Sequence, residues 1–323
     1  MRPSSNGMKN KNIIQITEPI DYSEKALSIY RSLGKVVFSS KPLRSANILV
    51  IGLKYKIDKA WISAMPNLEM VGWQGTGLNH IDARELKARG IKLISLRGRK
   101  GFLKNIPSTA EEAMALLLGL VRNIPWSFDA VKHHHSWNRV PWRGRQLYQK
   151  TMGIVGFGRL GRIMTRYARA FGMSVIAYDP YVSVSLMKKM GVKKVELGKL
   201  LKESDVVSIH ALLTDTNYNL LKSGHLKMMK PTAFIVNTAR GELIEKGALE
   251  TALQKKWIAG AATDVMWDEY SDGRHLKNNA LLKYAKTHSN LIIVPHIGGA
   301  TFEAMAVTQD YIAELVKKYF IKK

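Results

Sequence analysis

The stretch Gly156-Phe157-Gly158-Arg159-Leu160-Gly161 decides how the rest of this sequence is read. It follows the apolar run Met152-Gly153-Ile154-Val155 and opens into Arg162-Ile163-Met164-Thr165-Arg166-Tyr167-Ala168, so it lies between a buried strand and a helix. In that setting the first glycine allows a tight turn, the second lets the backbone approach a pyrophosphate, and the third lets helix and strand pack face to face. The helix start adds free N–H groups and the positive end of its dipole. A second strand, Ser174-Val175-Ile176-Ala177-Tyr178, ends in Asp179, about 20 residues past the first glycine. A carboxylate there bonds the ribose hydroxyls of NAD and repels the 2′-phosphate of NADP. The expected cofactor is therefore NAD.

Working outward, apolar strands alternate with amphipathic segments almost from end to end, which is the pattern of a parallel-sheet α/β architecture. Strands are expected at 13–16, 35–38, 48–51, 68–73 and 91–96 before the glycine turn, and at 206–209, 233–237, 260–264 and 291–294 after it. Helices are expected at 22–33, 83–89, 108–123 and 301–323, the third capped by Ser108 or Thr109 and stopped by Pro125. Residues 126–149 read as a linker rich in Trp, His and Arg. A length of 323 residues suggests two domains.

Composition narrows the classes of function. The chain has no cysteine, which excludes disulfides, thiolate metal sites and cysteine nucleophiles. No apolar run approaches the ~20 residues of a membrane span, and the polar start lacks a signal-peptide core, so a cytoplasmic location is expected. The net charge of +25 comes from 50 basic and 25 acidic residues spread along the whole chain. Such a field suits steering of a small anionic substrate, whereas nucleic acid is not expected as a partner. His133-His134-His135 cannot all face one ion from a helix, and no metal site is expected. Trp126, Trp137 and Trp142 suit packing at a domain junction or subunit contact better than base stacking.

Three segments each end an expected strand with a polar side chain, and open α/β sheets bind ligands at the carboxyl ends of their strands. They are Asn237-Thr238-Ala239-Arg240-Gly241, Thr263-Asp264-Val265-Met266-Trp267-Asp268-Glu269, and Pro295-His296-Ile297-Gly298-Gly299-Ala300. An arginine after a strand can offer its planar fork to a carboxylate. His296 is the natural proton donor and acceptor near neutrality.

Together with Gly75-Thr76-Gly77-Leu78-Asn79-His80-Ile81-Asp82, Thr109-Ala110-Glu111 and Val207-Ser208-Ile209-His210, these segments resemble the D-isomer-specific 2-hydroxyacid dehydrogenase family over nearly the whole chain. The resemblance implies two doubly wound parallel-sheet α/β domains, a Rossmann NAD-binding domain inserted into a flavodoxin-like substrate domain. The expected division is 1–109 for the first part of the substrate domain, 110–298 for the NAD-binding domain and 299–323 for a returning helix. It implies a catalytic triad of Arg240, Glu269 and His296, with Thr76 and Gly77 lining the substrate carboxylate through backbone groups. Toward the cofactor it implies Gly156, Gly158, Arg159, Leu160, Gly161 and Asp179, with Ala211 on the adenosine side. Thr76, Thr238, Ala239, Asp264, Gly298 and Gly299 complete the cofactor set. The implied reaction is NAD-dependent interconversion of a 2-oxo acid and a D-2-hydroxy acid by a homodimer, the region of 126–149 resembling the family's dimerisation arm.

Two departures from the family pattern stand out. Where the family commonly has acidic and proline residues after Asp-Val, this chain has Met266-Trp267-Asp268-Glu269-Tyr270, and spacing alone leaves Asp268 beside Glu269 as the triad acid. The segment Arg97-Gly98-Arg99-Lys100-Gly101-Phe102-Leu103-Lys104-Asn105 does not follow the commoner members, and its four cations suit either a substrate more anionic than lactate or plain solvation. A second class of reading, a nucleotide-sensing binding protein on the same fold, would need no acid, orienter and carboxylate clamp together.

Overall fold

Short runs of β-branched and aliphatic residues build two wholly parallel sheets, joined by helices that cover their faces. The computed structural model describes residues 12–18, 22–269 and 273–321. The chain forms two compact units, one of residues 1–105 with 301–323 and the other of residues 106–300.

The first unit runs β1 (Asn12–Ile16), α1 (Glu24–Leu33), β2 (Gly34–Phe38), β3 (Ile48–Ile51), α2 (Lys59–Ser63), β4 (Met70–Trp73), α3 (Ala83–Ala88), β5 (Lys92–Ser95) and α4 (Lys100–Leu103). Its sheet order is β2-β1-β3-β4-β5, the flavodoxin-like doubly wound order. Ile48–Ile51 is buried on both faces, as a central parallel strand must be.

The second unit runs α5 (Ser108–Val121), α6 (Ile124–His134), β6 (Thr151–Val155), α7 (Arg159–Ala170), β7 (Ser174–Tyr178), α8 (Val184–Lys189), β8 (Lys193–Lys194), α9 (Leu197–Glu203) and β9 (Val206–Ile209). It continues through α10 (Ser223–Leu226), β10 (Phe234–Asn237), α11 (Ala248–Gln254), β11 (Gly260–Thr263), α12 (Ala280–Ala285) and β12 (Leu291–Ile293). The sheet order β12-β11-β10-β9-β6-β7-β8 reverses direction beside β6, so the glycine turn leaves the sheet at the topological switch point. Successive residues of β6 serve opposite faces. Ile154 packs with Leu117, Leu120, Met164 and Ala168 of α5 and α7, while Val155 packs with Leu200, Leu226, Leu249 and Leu253 of α9 to α11. The first unit is completed by α13 (Phe302–Ile321), which packs on α1 and lies over β4. A Cβ on Gly72 would stand 3.3 Å from Ile312, so the missing side chain sets how closely α13 approaches the sheet.

Three local expectations need correction, and one strand is additional. The segment at 126–149 is not simply a linker, because α6 occupies its first part. Pro125 does not stop α5: the helix ends at Val121, Asn123 turns left-handed at φ 56°, and Pro125 sits in the first turn of α6, where its missing N–H costs nothing. Neither Ser108 nor Thr109 caps α5, since Pro107 occupies the cap position and Ser108 is already helical. Strand β8 was not foreseen, because two lysines carry no apolar signal.

Candidate active site

The glycine turn after β6 is built by close approach. Gly156 adopts φ +94°, and a Cβ there would lie 2.5 Å from the Ala211 nitrogen and 2.6 Å from its Cα, both backbone atoms that cannot yield. A Cβ on Gly161 would collide with the Gly156 carbonyl oxygen and reach 3.0 Å from Ile154. Around Gly158, in contrast, nothing lies within 4 Å of the same position. The first and third glycines therefore satisfy the fold, and the second leaves open backbone at the start of α7, where Leu160 follows Arg159 in the first turn. Asp179 closes the turn from the next strand: its Oδ2 accepts the Phe157 amide at 2.9 Å and its Oδ1 accepts the Tyr181 amide at 2.9 Å. Each oxygen keeps a second lone pair. The Arg159 guanidinium donates to the Ile106 carbonyl, and burial lowers its pKa.

Three further strand ends of the same sheet lie side by side. After β10, Asn237 folds the segment onto itself, donating through Nδ2 to the Arg240 carbonyl at 2.9 Å and accepting the Ala239 amide at 3.0 Å. Arg240 Nη1 donates to the Ala239 carbonyl at 2.7 Å. Next to it, a Cβ on Gly241 would strike the backbone of Met266 and Trp267, so this glycine lets the β10 and β11 loops touch. Thr238 is buried and its Oγ1 has no hydrogen-bond partner.

After β11, Asp264 is 2% exposed and accepts two amides from the β12 loop, Ile297 at 2.6 Å and Gly298 at 2.9 Å. Burial and the neighbouring Glu269 charge raise the Asp264 pKa, more than the two amides and His296 lower it. Gly298 is required here, since its Cβ would lie 2.9 Å from the Asp264 carboxylate, whereas Gly299 faces open space. The clamp holds His296 in the left-handed region at φ 56°. Its Nδ1 then meets Glu269 Oε2 at 2.6 Å, while Oε1 of the same carboxylate accepts the Met266 amide at 2.6 Å. Burial pushes the Glu269 pKa up, but the bond and charge of His296, the Met266 amide and the Arg240 charge outweigh it and hold the carboxyl below its usual range. Burial lowers the Arg240 pKa, against the pull of Glu269, Glu242 and Asp264. Asp268 faces elsewhere, bonded to Lys246 at 2.8 Å.

The second unit thus brings Arg240, Glu269, His296, Asp264, Thr238 and Ala239 to neighbouring strand ends, with the glycine turn, Asp179 and Ala211 farther along the same sheet edge. Thr76 and Gly77 belong to the first unit, in the loop after β4, where Trp73 Nε1 donates to the Gly77 carbonyl at 2.8 Å. Asn237 and Gly241 have structural roles that the sequence alone does not assign. The only signal was a polar residue and a glycine bracketing the arginine at a strand end. Asp264, expected as a cofactor contact, also clamps the His296 turn.

A nucleotide turn at the switch point of a doubly wound sheet, with a histidine–carboxylate pair and an arginine at neighbouring strand ends, defines a dinucleotide-binding protein equipped for acid–base chemistry. The chain belongs to the D-isomer specific 2-hydroxyacid dehydrogenase family, whose NAD binding domain it carries at residues 114–298. It is 32% identical over 314 residues to D-3-phosphoglycerate dehydrogenase of Methanocaldococcus jannaschii, covering 94% of this chain and 57% of that protein. It is 36% identical over 286 residues to glyoxylate reductase of Thermococcus litoralis, covering 86% of this chain and 81% of that one. Among solved structures, D-lactate dehydrogenase from Aquifex aeolicus complexed with NAD and lactic acid aligns with a TM-score of 0.82 at 27% identity over 96% of each chain. The chain spans little more than half the length of the phosphoglycerate dehydrogenase it matches. Among the described residues, no helix is long and apolar enough to cross a membrane, and no group of three His, Asp or Glu side chains is placed to hold a metal ion.

Proposed function

We propose that this chain interconverts a 2-oxo acid and a D-2-hydroxy acid with NAD as its cofactor. The observation that carries the reading is the 2.6 Å bond between His296 Nδ1 and Glu269 Oε2, set beside Arg240. With Nδ1 engaged, Nε2 is the atom that gives a proton to the nascent alkoxide during reduction and removes it from the hydroxyl during oxidation. Glu269 fixes the ring orientation through Nδ1. Arg240 offers a planar cation to the substrate carboxylate and polarises the carbonyl. Thr76 and Gly77, in the loop after β4 of the first unit, offer backbone groups suited to a carboxylate.

The residues present fit the dinucleotide. Open backbone at Gly158, the N–H groups at the start of α7, the free lone pairs of Asp179 and the orphaned Thr238 hydroxyl would hold it. When bound, the reduced cofactor supplies the hydride. A binding-only nucleotide sensor is not favoured, because sensing gives no reason to clamp a histidine turn with Asp264 and pair the ring with the Glu269 carboxylate. The same family reading makes the protein a homodimer.

Purified protein is expected to oxidise NADH with a small 2-oxo acid and to prefer NADH over NADPH. His296→Ala should lower kcat by ~10²–10⁴ while NADH fluorescence titration returns the wild-type Kd. Undiminished turnover in that variant would overturn the proton-transfer assignment, and preference for NADPH would remove the role given to Asp179.

A further inference from the structure

The segment leaving β5, a loop running into the short helix α4, carries Arg97, Arg99, Lys100 and Lys104, all exposed and none held by an ion pair among the described residues. All strands of the first unit are parallel, so their carboxyl ends share one edge, the edge at which open sheets bind ligands. In that sheet β3, β4 and β5 are consecutive neighbours, which places the loop after β4, with Thr76 and Gly77, between two basic loops. On one side stand the exposed Lys54 and Lys56, and on the other the four cations after β5.

The β4 and β5 loops are stitched together, since the Leu96 amide donates to the Gly75 carbonyl at 3.1 Å. The far end of the β5 loop is anchored as well. Leu103 is buried, and the Phe102 ring stacks on Tyr311 of α13 at 3.8 Å and 8°. The cations are therefore displayed from a fixed backbone, which lowers the entropy cost of using them. Glu18, an acid after β1 on the same edge, turns its carboxylate to the Lys54 amide at 2.6 Å.

From this placement we infer that Arg97, Arg99 and Lys100 recognise a second anionic group, phosphate or carboxylate, on the distal end of the 2-oxo acid. The inference rests on the proposed activity and names its substrate class. In the proposed activity the first carboxylate takes the backbone groups of Thr76 and Gly77 in the neighbouring β4 loop, so a singly charged acid leaves the β5 loop without a counterpart. Arginine forks match the oxygens of a phosphate or carboxylate in pairs, and a bound dianion relieves the repulsion among cations crowded on one anchored loop.

The test compares kcat/KM with NADH for glyoxylate and pyruvate, which carry one anionic group, against oxaloacetate and phosphohydroxypyruvate, which carry two. The wild type should favour a doubly anionic acid at least tenfold. Whichever of the two is preferred tells carboxylate from phosphate. In the triple variant Arg97→Gln, Arg99→Gln, Lys100→Gln that ratio should fall at least tenfold. No preference in the wild type, or an unchanged ratio in the variant, overturns the inference and leaves the loop as a solvated face. If no 2-oxo acid is turned over, the activity reading fails on its own, and the loop is judged by thermal shift. Malate or 3-phosphoglycerate should then raise the wild-type Tm beyond D-lactate, with the excess absent in the variant. Equal shifts for the two proteins count against the loop.

Discussion

His210 closes β9 with its imidazole inside the fold: Nε2 pairs with Ser208 Oγ at 2.8 Å, and Nδ1 is buried without a partner. Burial lowers its pKa to about 4. Between pH ~6.5 and ~4 the unfolded chain takes up a proton that the folded chain refuses, so the folded state loses stability as pH drops through that window. The expected slope is up to about 1.4 kcal/mol per pH unit, levelling below the folded pKa. Urea denaturation from pH 7 to 4 on the wild type and His210→Gln should show this component only in the wild type; coincident profiles would mean the ring is not buried neutral. The sequence showed His210 as part of a family segment, but burial depends on tertiary packing that one strand end does not reveal. The same limit applied to Glu269. Spacing left Asp268 open as the triad acid, and only the loop conformation, with Asp268 at φ 53° and turned to Lys246, sends Glu269 to His296.

At the scale of elements, the glycine turn makes opposite demands at positions two residues apart. Gly156→Ala places a Cβ on the Ala211 backbone and asks alanine to hold φ +94°, so it should destabilise the protein by roughly 2 kcal/mol or more. Gly158→Ala meets no atom within 4 Å and keeps an ordinary φ of −74°, so its stability should stay within about 0.5 kcal/mol of wild type. Its NADH Kd should nevertheless rise tenfold or more, because the new methyl stands where a pyrophosphate approaches. Equal NADH affinity in Gly158→Ala and wild type would relocate the phosphate contact. The βαβ unit was legible because strand, turn and helix each leave a local mark: apolar run, glycines, amphipathic repeat. Helix ends were less legible. Asn123 and Pro125 are compatible with either a stop or a fresh start, and the choice depends on whether 124–134 finds a surface to pack on.

At the scale of the whole molecule, a large positive charge and an exposed apolar face pull association in opposite directions. Helix α6 shows Ile124, Phe128 and Val131 at i, i+4 and i+7 on one face, exposed by 54%, 61% and 44%, and Trp137 and Val140 beyond it are exposed by 90% and 56%. Apolar side chains gathered in one segment fit a subunit contact, and a homodimer would bury them. Each chain brings a formal charge of +25, so pairing two chains costs electrostatic repulsion that salt screens over ~10 Å at 0.1 M and ~3 Å at 1 M. Sedimentation equilibrium should therefore find a dimer that tightens as NaCl is raised from 0.02 to about 0.5 M, the reverse of an association held by opposite charges. Phe128→Ser combined with Trp137→Ser should loosen it at least tenfold at every salt concentration, with the fold and NADH affinity retained. A wild type that is monomeric throughout, or a dimer indifferent to the double substitution, would show that this face serves another purpose.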